Sequence, residues 1–455
     1  MTSDSTKRRA DVRPTKKLFI DTLTRDVDIW SAILDLVDNS VDGAKRVAQE
    51  RGERNDYSDL FIDIKMGKDE FSISDNCGGI DIDLAENYAF KFGRPIAAEG
   101  VPGSVGYFGV GMKRTLFKIA DEFRVESTTK DSHFVVHVDV PKWQENEDDW
   151  RFDLDEVKQD ENQPDAQIGT KIEALRIKGE IAKELALEHR VNNFRESLRK
   201  VYAQPMSYGL TISLNGNKLD YLDIDIFESN DLKSSKISHS WEVDGQEISV
   251  KIVAGVAERD TKRSGWYLFF NGRMVLGPDR SSITGWGENR LPIYHQQFDR
   301  FRGFVFLECD DAGILPWNTT KTGVRTDSDI YRKLIQEMNR ATRAVVDFLN
   351  NLRREEINSE EGKQEEMPLL DVVNKAEKVS VATLLTSRLS QNDIHEKFTA
   401  PPLQQRTKEK PKTKRIVYEV EIDKFEAASD QAGSSSASEL GRTTFNYYYE
   451  MEVGG

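Results

Sequence analysis

Three stretches of this 455-residue chain set chemically capable side chains at spacings a fold can use. In ILDLVDNSVDGA, residues 33–44, Asp35, Asn39 and Asp42 stand four and three positions apart. On a helix they share one face, while Ile33, Leu34, Val37 and Val41 line the other. The Asn39 amide oxygen suits Mg2+, and a carboxylate one turn earlier, at Asp35, can orient a water against a phosphate. Taken alone, the same spacing also fits a solvated acidic helix face. In SDNCGGI, residues 74–80, Asp75 can accept a hydrogen bond from an exocyclic amine, and the glycines let a flat heterocycle approach the backbone. An ordinary turn has this composition too. The third stretch, GVPGSVGYFGVGMK, has glycines at 100, 103, 106, 109 and 111 and leads into the helical MKRTLFKIA. Successive amides ending at a helix N-terminus make an anion nest. Five glycines carry a large entropic cost, which favours a phosphate cradle over a merely flexible loop.

Each stretch needs an element beneath it. Ile29, Trp30, Ile33, Leu34, Leu36, Val37 and Val41 recur near helical spacing, and residues 59–74 read as two strands around a turn at Gly67. Phe123–Ser127 and His133–Val140 read as paired strands and Gly169–Leu175 as another. Residues 18–209 are therefore expected to form an α/β domain behind a charged flexible arm, residues 1–17. Residues 210–354 read as a second domain in which strands dominate to about Val324, with Asn-Gly hairpin signals at Asn215–Gly216 and Asn271–Gly272. A closing helix from Asp327 to Arg354 carries Ile330, Leu334, Met338, Ala341, Val345 and Leu349 on one face. Residues 355–415 read as a helical and basic linker, whose last fifteen residues hold six basic side chains against one acidic. Residues 416–455 read as a small module: a strand with Tyr418, Val420 and Ile422 on one face, then two short helices flanking Gly433.

Composition narrows the function. The length predicts about three domains. With 64 Lys+Arg against 79 Asp+Glu, the net charge of -15 argues against a surface coated by nucleic acid, so any basic surface is local. Two cysteines, Cys77 and Cys309, are too few for a disulfide framework or a structural zinc site and fit a reducing compartment. No run approaches the roughly 18–20 apolar residues of a membrane span, so a cytoplasmic protein with no membrane partner is expected. His133 and His137, four apart in an alternating strand, are not read as a zinc pair.

In this order and spacing the three stretches resemble the GHKL ATPases, whose Bergerat nucleotide fold is shared by gyrase, the ninety-kilodalton heat-shock chaperone, histidine kinases, MutL and MORC proteins. The helical box is DLVDNSVD, the adenine box DNCGG and the lid box GYFGVGMK, with Gly169, Thr170 and Lys171 as the following strand motif. The resemblance implies ATP and Mg2+ as cofactors. By it, Asn39 binds the metal, Asp75 reads the adenine amine, Gly79 admits the base, and Gly106, Gly109, Gly111 and Lys113 hold phosphates. Thr170 supports the adenine site through water, and Asp42 joins the binding set from the shared helix face. Asp35 takes the place of the general base, usually Glu in this family. It is shorter by one methylene, roughly 1.5 Å, which predicts slow hydrolysis to ADP and phosphate.

The second domain refines this resemblance. LPWNTTKTGVR, residues 315–325, is similar to the loop by which the transducer domains of MutL, MORC and the heat-shock chaperone push a lysine into the nucleotide site. Lys321 is thus the expected γ-phosphate sensor and second catalytic residue, with Arg325 as another candidate. The C-terminal module is similar in outline to ribbon-helix-helix proteins. In that register Val417, Glu419 and Glu421 face DNA, and two carboxylates there repel phosphates, which favours dimerisation over sequence reading. The expected fold class is α+β: a Bergerat α/β sandwich ATP-binding domain, a transducer α/β domain and a small C-terminal strand-helix-helix module. The expected function is a nucleotide-gated homodimeric clamp or switch, associated with DNA in genome maintenance or prokaryotic antiviral defence. A chaperone-like or regulatory ATPase acting on a partner protein, and a pseudo-ATPase scaffold, remain open alternatives.

Overall fold

The computed structural model describes residues 12–53, 55–91, 105, 111–222, 224–318, 320–361, 366–387, 389, 394–402 and 414–453. The chain divides into two units, residues 1–403 and 404–455.

The N-terminal half of the larger unit is built on α1 (Lys16–Arg25), α2 (Ile29–Glu50), β1 (Phe61–Met66), β2 (Phe71–Asp75), the one-turn α3 (Ile82–Leu84) and α4 (Gly111–Ile119). The strands β3 (Ala120–Thr128), β4 (Ser132–Asp139), β5 (Asp155–Gln159), β6 (Gly169–Ile177), β7 (Thr211–Leu214) and β8 (Asn217–Lys218) complete it. One eight-stranded sheet results, in the order β5-β4-β3-β6-β2-β1-β7-β8, mixed because β1 and β7 run parallel. Helix α2 starts where the Asp28 carboxylate accepts the Ser31 N–H at 2.9 Å. Its Ile33, Val37, Val41, Ala44 and Ala48, spaced by four and three, are buried in the core beside Ile62, Ile64 and Ile73. Burying each branched side chain contributes about 1.5–3 kcal/mol. Helix α4 is tied to α2 by the Thr115 hydroxyl, which donates to the Ala32 carbonyl at 2.7 Å. Register matters most at β2, where Asp75 lies opposite Ile62 of β1 and Thr170 of β6.

The second core is built on β9 (Asp225–Glu228), β10 (Ser235–Val243), β11 (Gln246–Val256), β12 (Gly265–Phe270), β13 (Arg273–Asp279), β14 (Phe301–Cys309), β15 (Glu377–Ser380) and β16 (Ile394–Glu396). Six of these form a sheet in the order β13-β12-β14-β11-β10-β16, and β15 pairs with β9. A helix from Asp329 to Glu360 lays Ile330, Leu334, Met338, Ala341, Val345 and Leu349 into this core, the face expected from its spacing.

Four sequence expectations change. Residues 1–11 of the expected arm lie outside the described residues, but its end is ordered. Thr15 caps α1, and the buried Lys16 ammonium donates to the Trp143 and Asp149 carbonyls at 2.6 Å, over the Trp143 ring. The hairpin at Asn215–Gly216 was expected in the second domain. Instead β7 extends the first sheet, because Leu210, Ile212 and Leu214 pack in the first core. The closing helix runs six residues past Arg354, and the buried Glu355 carboxylate accepts the Leu369 and Leu370 N–H groups at 3.0 Å. Those bonds anchor a helix at Pro368–Lys375, and β15 and β16 follow, so the described residues between 368 and 402 belong to the second half of the unit and are no linker. Of the basic run, residues 403–413 lie outside the described residues.

In the C-terminal unit two helices, Ile422–Ala432 and Ala437–Glu452, flank Gly433 as the sequence suggested. The expected strand is absent among the described residues: residues 415–421 are unpaired, with Val417, Tyr418 and Val420 exposed. A strand needs a partner for its backbone groups, and this unit supplies none.

Candidate functional site

The site forms where α2, the β2 end, the start of α4 and the Lys321 loop meet. Asp75 leaves β2 with its carboxylate buried. The Ser40 hydroxyl donates to one oxygen at 2.6 Å, and the Cys77 and Thr170 N–H groups donate to the other at 2.9 and 3.2 Å. Burial raises its pKa, and these donors offset part of the rise. Thr170 also shares its hydroxyl with Ser127 at 3.2 Å, and Ser127 accepts the Ile80 N–H at 2.7 Å. Gly79 has φ +71°, and a Cβ there would lie 2.1 Å from the Thr128 carbonyl oxygen. No other residue fits this position, and the Arg46 guanidinium donates to its carbonyl at 2.6 Å. Nearby, a cavity of about 1040 Å³ is bordered by Arg46, Val47, Asn76, Gly78, Gly79 and Thr129, large enough for a nucleoside-sized ligand.

Along α2, Asn39 faces solvent. Asp42 accepts the Val105 N–H with both oxygens at 2.8 Å, while the Val105 side chain packs into the second core. Val105 is therefore held by both halves of the unit. Gly106 and Gly109 lie outside the described residues. Gly111 opens α4 against Asp35, and Lys113 is buried with its ammonium on the Ala89 carbonyl at 2.8 Å. Burial lowers the Lys113 pKa to about 8.

Charges concentrate at Asp35 and Asp38. Lys321 reaches them from the second core, 3.2 Å from Asp35 Oδ1 and 2.8 Å from Asp38 Oδ2. A Trp317–Val324 bridge and an Asn318 N–H bond to the Gly323 carbonyl close its loop, with Lys321 itself at φ +55°. Arg114 donates to Asp35 Oδ2 at 2.5 Å. Arg273, at the start of β13, donates to Asp38 Oδ1, which also accepts the Tyr202 hydroxyl at 2.8 Å. Burial alone would raise the Asp38 pKa, yet Arg273 and Lys321 hold it down at about 2. Burial would likewise lower the Lys321 and Arg273 pKa values, and their carboxylate partners raise both instead. Arg325 is no part of this cluster: it is exposed, 3.7 Å from Asp327.

Thus Asp35 meets Lys321 and packs against Gly111, and Asp75 meets Ser40 of α2 and Thr170 of β6, while the Lys113 ammonium donates to the Ala89 carbonyl. Residues 27–170 match the family model of histidine kinase-, DNA gyrase B- and HSP90-like ATPases. This segment is a GHKL ATPase domain. The match supports ATP binding and ATPase-type activity, and the mixed α/β sheet agrees with a Bergerat fold followed by further α/β structure. No curated protein matches the chain. Among the described residues no helix is long and apolar enough to cross a membrane.

Sequence reasoning missed Asp38, Ser40, Tyr202, Arg273 and Arg114. Asp38 carried a faint signal, an acid on the apolar side of an amphipathic helix, which demands a buried counter-charge. Its partner lies 235 positions away, and no local pattern points there.

Proposed function

We propose that this protein is a slow ATPase whose nucleotide state is transmitted to its second domain through Lys321. The observation that carries the reading is the burial of Lys321 between Asp35 and Asp38, at the carboxylate suited to activating water. The site's chemistry fits the nucleotide. Asp75 offers a buried acceptor for the adenine amine, and Gly79 leaves room for the base. Asn39 is exposed one turn after Asp35 on α2 and carries an amide oxygen. Mg2+ takes most of its ligands from phosphates and water, so one such oxygen suffices to hold it, where it would neutralise charge on the phosphates. Asp35 orients the attacking water and takes its proton, while Lys321 stabilises charge developing on the terminal phosphate. A cation that can sit on either Asp38 or a phosphate couples nucleotide state to domain position.

The test is ATP turnover by the full chain with Mg2+, alongside the Lys321→Ala variant. The reading expects measurable turnover, falling at least tenfold in the variant. Nucleotide binding without turnover favours a pseudo-ATPase scaffold.

The C-terminal unit favours a homodimer. Val417, Tyr418 and Val420 extend without a strand partner, and Phe445, Tyr448 and Tyr449 are exposed on the second helix. A second copy can pair this segment across a two-fold and cover both. Mass measurement of the full chain and of a chain ending at 403, with and without nucleotide, tests this: the shortened chain should be monomeric without nucleotide. DNA association, as a nucleotide-gated clamp in genome maintenance or defence, rests on the basic run before this unit. Salt-dependent DNA binding with and without a nonhydrolysable ATP analogue decides between a clamp and a switch acting on a partner protein.

A further inference from the structure

We infer that Arg114 is a phosphate-binding residue of the nucleotide site, stored on Asp35 until a terminal phosphate competes for it. The inference rests on the ATP-binding reading above and adds a residue to it.

Packing at the start of α4 sets up the placement. A Cβ on Gly111 would lie 3.1 Å from the Asp35 Cβ, so α4 closes tightly on α2 at this point. The next residues diverge. Lys113 sends its ammonium to the Ala89 carbonyl, whereas Arg114 sends its guanidinium to Asp35 Oδ2 at 2.5 Å. The cation at the site from α4 is thus an arginine, whose planar fork can grip two phosphate oxygens.

Arg114 is also incompletely bonded. Its Nε is buried and has no hydrogen-bond partner among the described residues. An unmet buried donor is costly and points to an acceptor that arrives with a ligand. Charge points the same way. Arg114, Lys321 and Arg273 surround Asp35 and Asp38, leaving one positive charge in excess among these five groups. Arg273 is committed to Asp38, and Lys321 can rest there too. Among the described residues, Asp35 is the one carboxylate that pairs with Arg114. A terminal phosphate carries more negative charge than one carboxylate and competes for the guanidinium. The same exchange uncovers Asp35 Oδ2 for water. ADP, which lacks the γ-phosphate, leaves Arg114 where it is.

The experiment is calorimetric titration of the full chain with ADP and with a nonhydrolysable ATP analogue, both with Mg2+. The proteins are the wild type, Arg114→Met, Asp35→Asn and the double variant, with Arg114→Gln should the methionine variant not fold. Expected is an analogue affinity at least tenfold weaker for Arg114→Met, with ADP affinity within twofold, and the same loss in the Asp35→Asn background. Equal weakening of both ligands makes Arg114 merely structural and overturns the inference. So does an unchanged analogue affinity, or recovery in the double variant, which reduces Arg114 to a counter-ion for Asp35. A wild type that binds neither nucleotide overturns the ATP-binding reading itself, and this inference with it.

Discussion

Asp38→Asn is the most informative single change in this molecule. The wild-type carboxylate is fully buried and accepts from Arg273, Lys321 and Tyr202. The amide removes the negative charge and turns an N–H group toward at least one of these donors. Lys321 keeps Asp35, but Arg273, 2% exposed, has no other carboxylate among the described residues. Breaking a buried pair by removing one partner costs about 3–5 kcal/mol, chiefly from the uncompensated charge. At about 2–4 °C per kcal/mol for a sizeable domain, the melting temperature should fall by about 6–20 °C. Urea and thermal unfolding of the full chain, followed by tryptophan fluorescence, measure both. The comparator is Asp38→Leu/Arg273→Met, which removes the charges together and should recover at least about 2 kcal/mol. A loss below about 1 kcal/mol for Asp38→Asn, the scale of an exposed ion pair, refutes the reasoning that Asp38 is the buried counter-charge Arg273 depends on.

Three further outcomes are expected. Asp35→Asn should lower ATP turnover by about 10²–10⁴-fold while leaving binding of a nonhydrolysable analogue within a few fold, and turnover within threefold of wild type rules Asp35 out as the base. Gly79→Ala should cost at least about 2 kcal/mol, because the new methyl meets the Thr128 carbonyl at 2.1 Å and φ is +71°, whereas Gly67→Ala, with nothing within 4 Å, should stay within about 0.5 kcal/mol. A folded-state pKa of about 2 for Asp38 lies below the ordinary carboxylate value near 4. The stability it contributes is therefore full above about pH 4 and is lost as pH falls through 2, and Asp38→Leu/Arg273→Met should flatten the melting curve between pH 2 and 4 relative to wild type.

Much of the site was legible because its parts obey local rules. The alternation and turn signals around Gly67 place Asp75 at a strand end, and the helical spacing of Ile33, Val37 and Val41 buries one face of α2 and turns Asn39 outward. Lys321 was singled out through its loop's likeness to transducer loops, and the fold sets its ammonium between Asp35 and Asp38. The errors arise where a segment's fate depends on distant partners. β7 reads as any short strand, and only parallel pairing with β1 assigns it to the first sheet. Residues 368–402 looked like linker because each element is short and gains its stability from β9, β10 and Glu355.

The sequence alone determined the long amphipathic helices, the strands around Gly67 and the resemblance of the first domain, since periodicity, turn chemistry and motif spacing are properties of neighbouring residues. Tertiary structure decided which charges meet. Asp38 and Arg273 are unremarkable 235 positions apart, and become the anchor of the site only when burial removes water and leaves each the other's counter-charge. The same holds for Lys113 and Arg114, adjacent in the chain, of which packing sends one cation to a carbonyl and the other to the carboxylate.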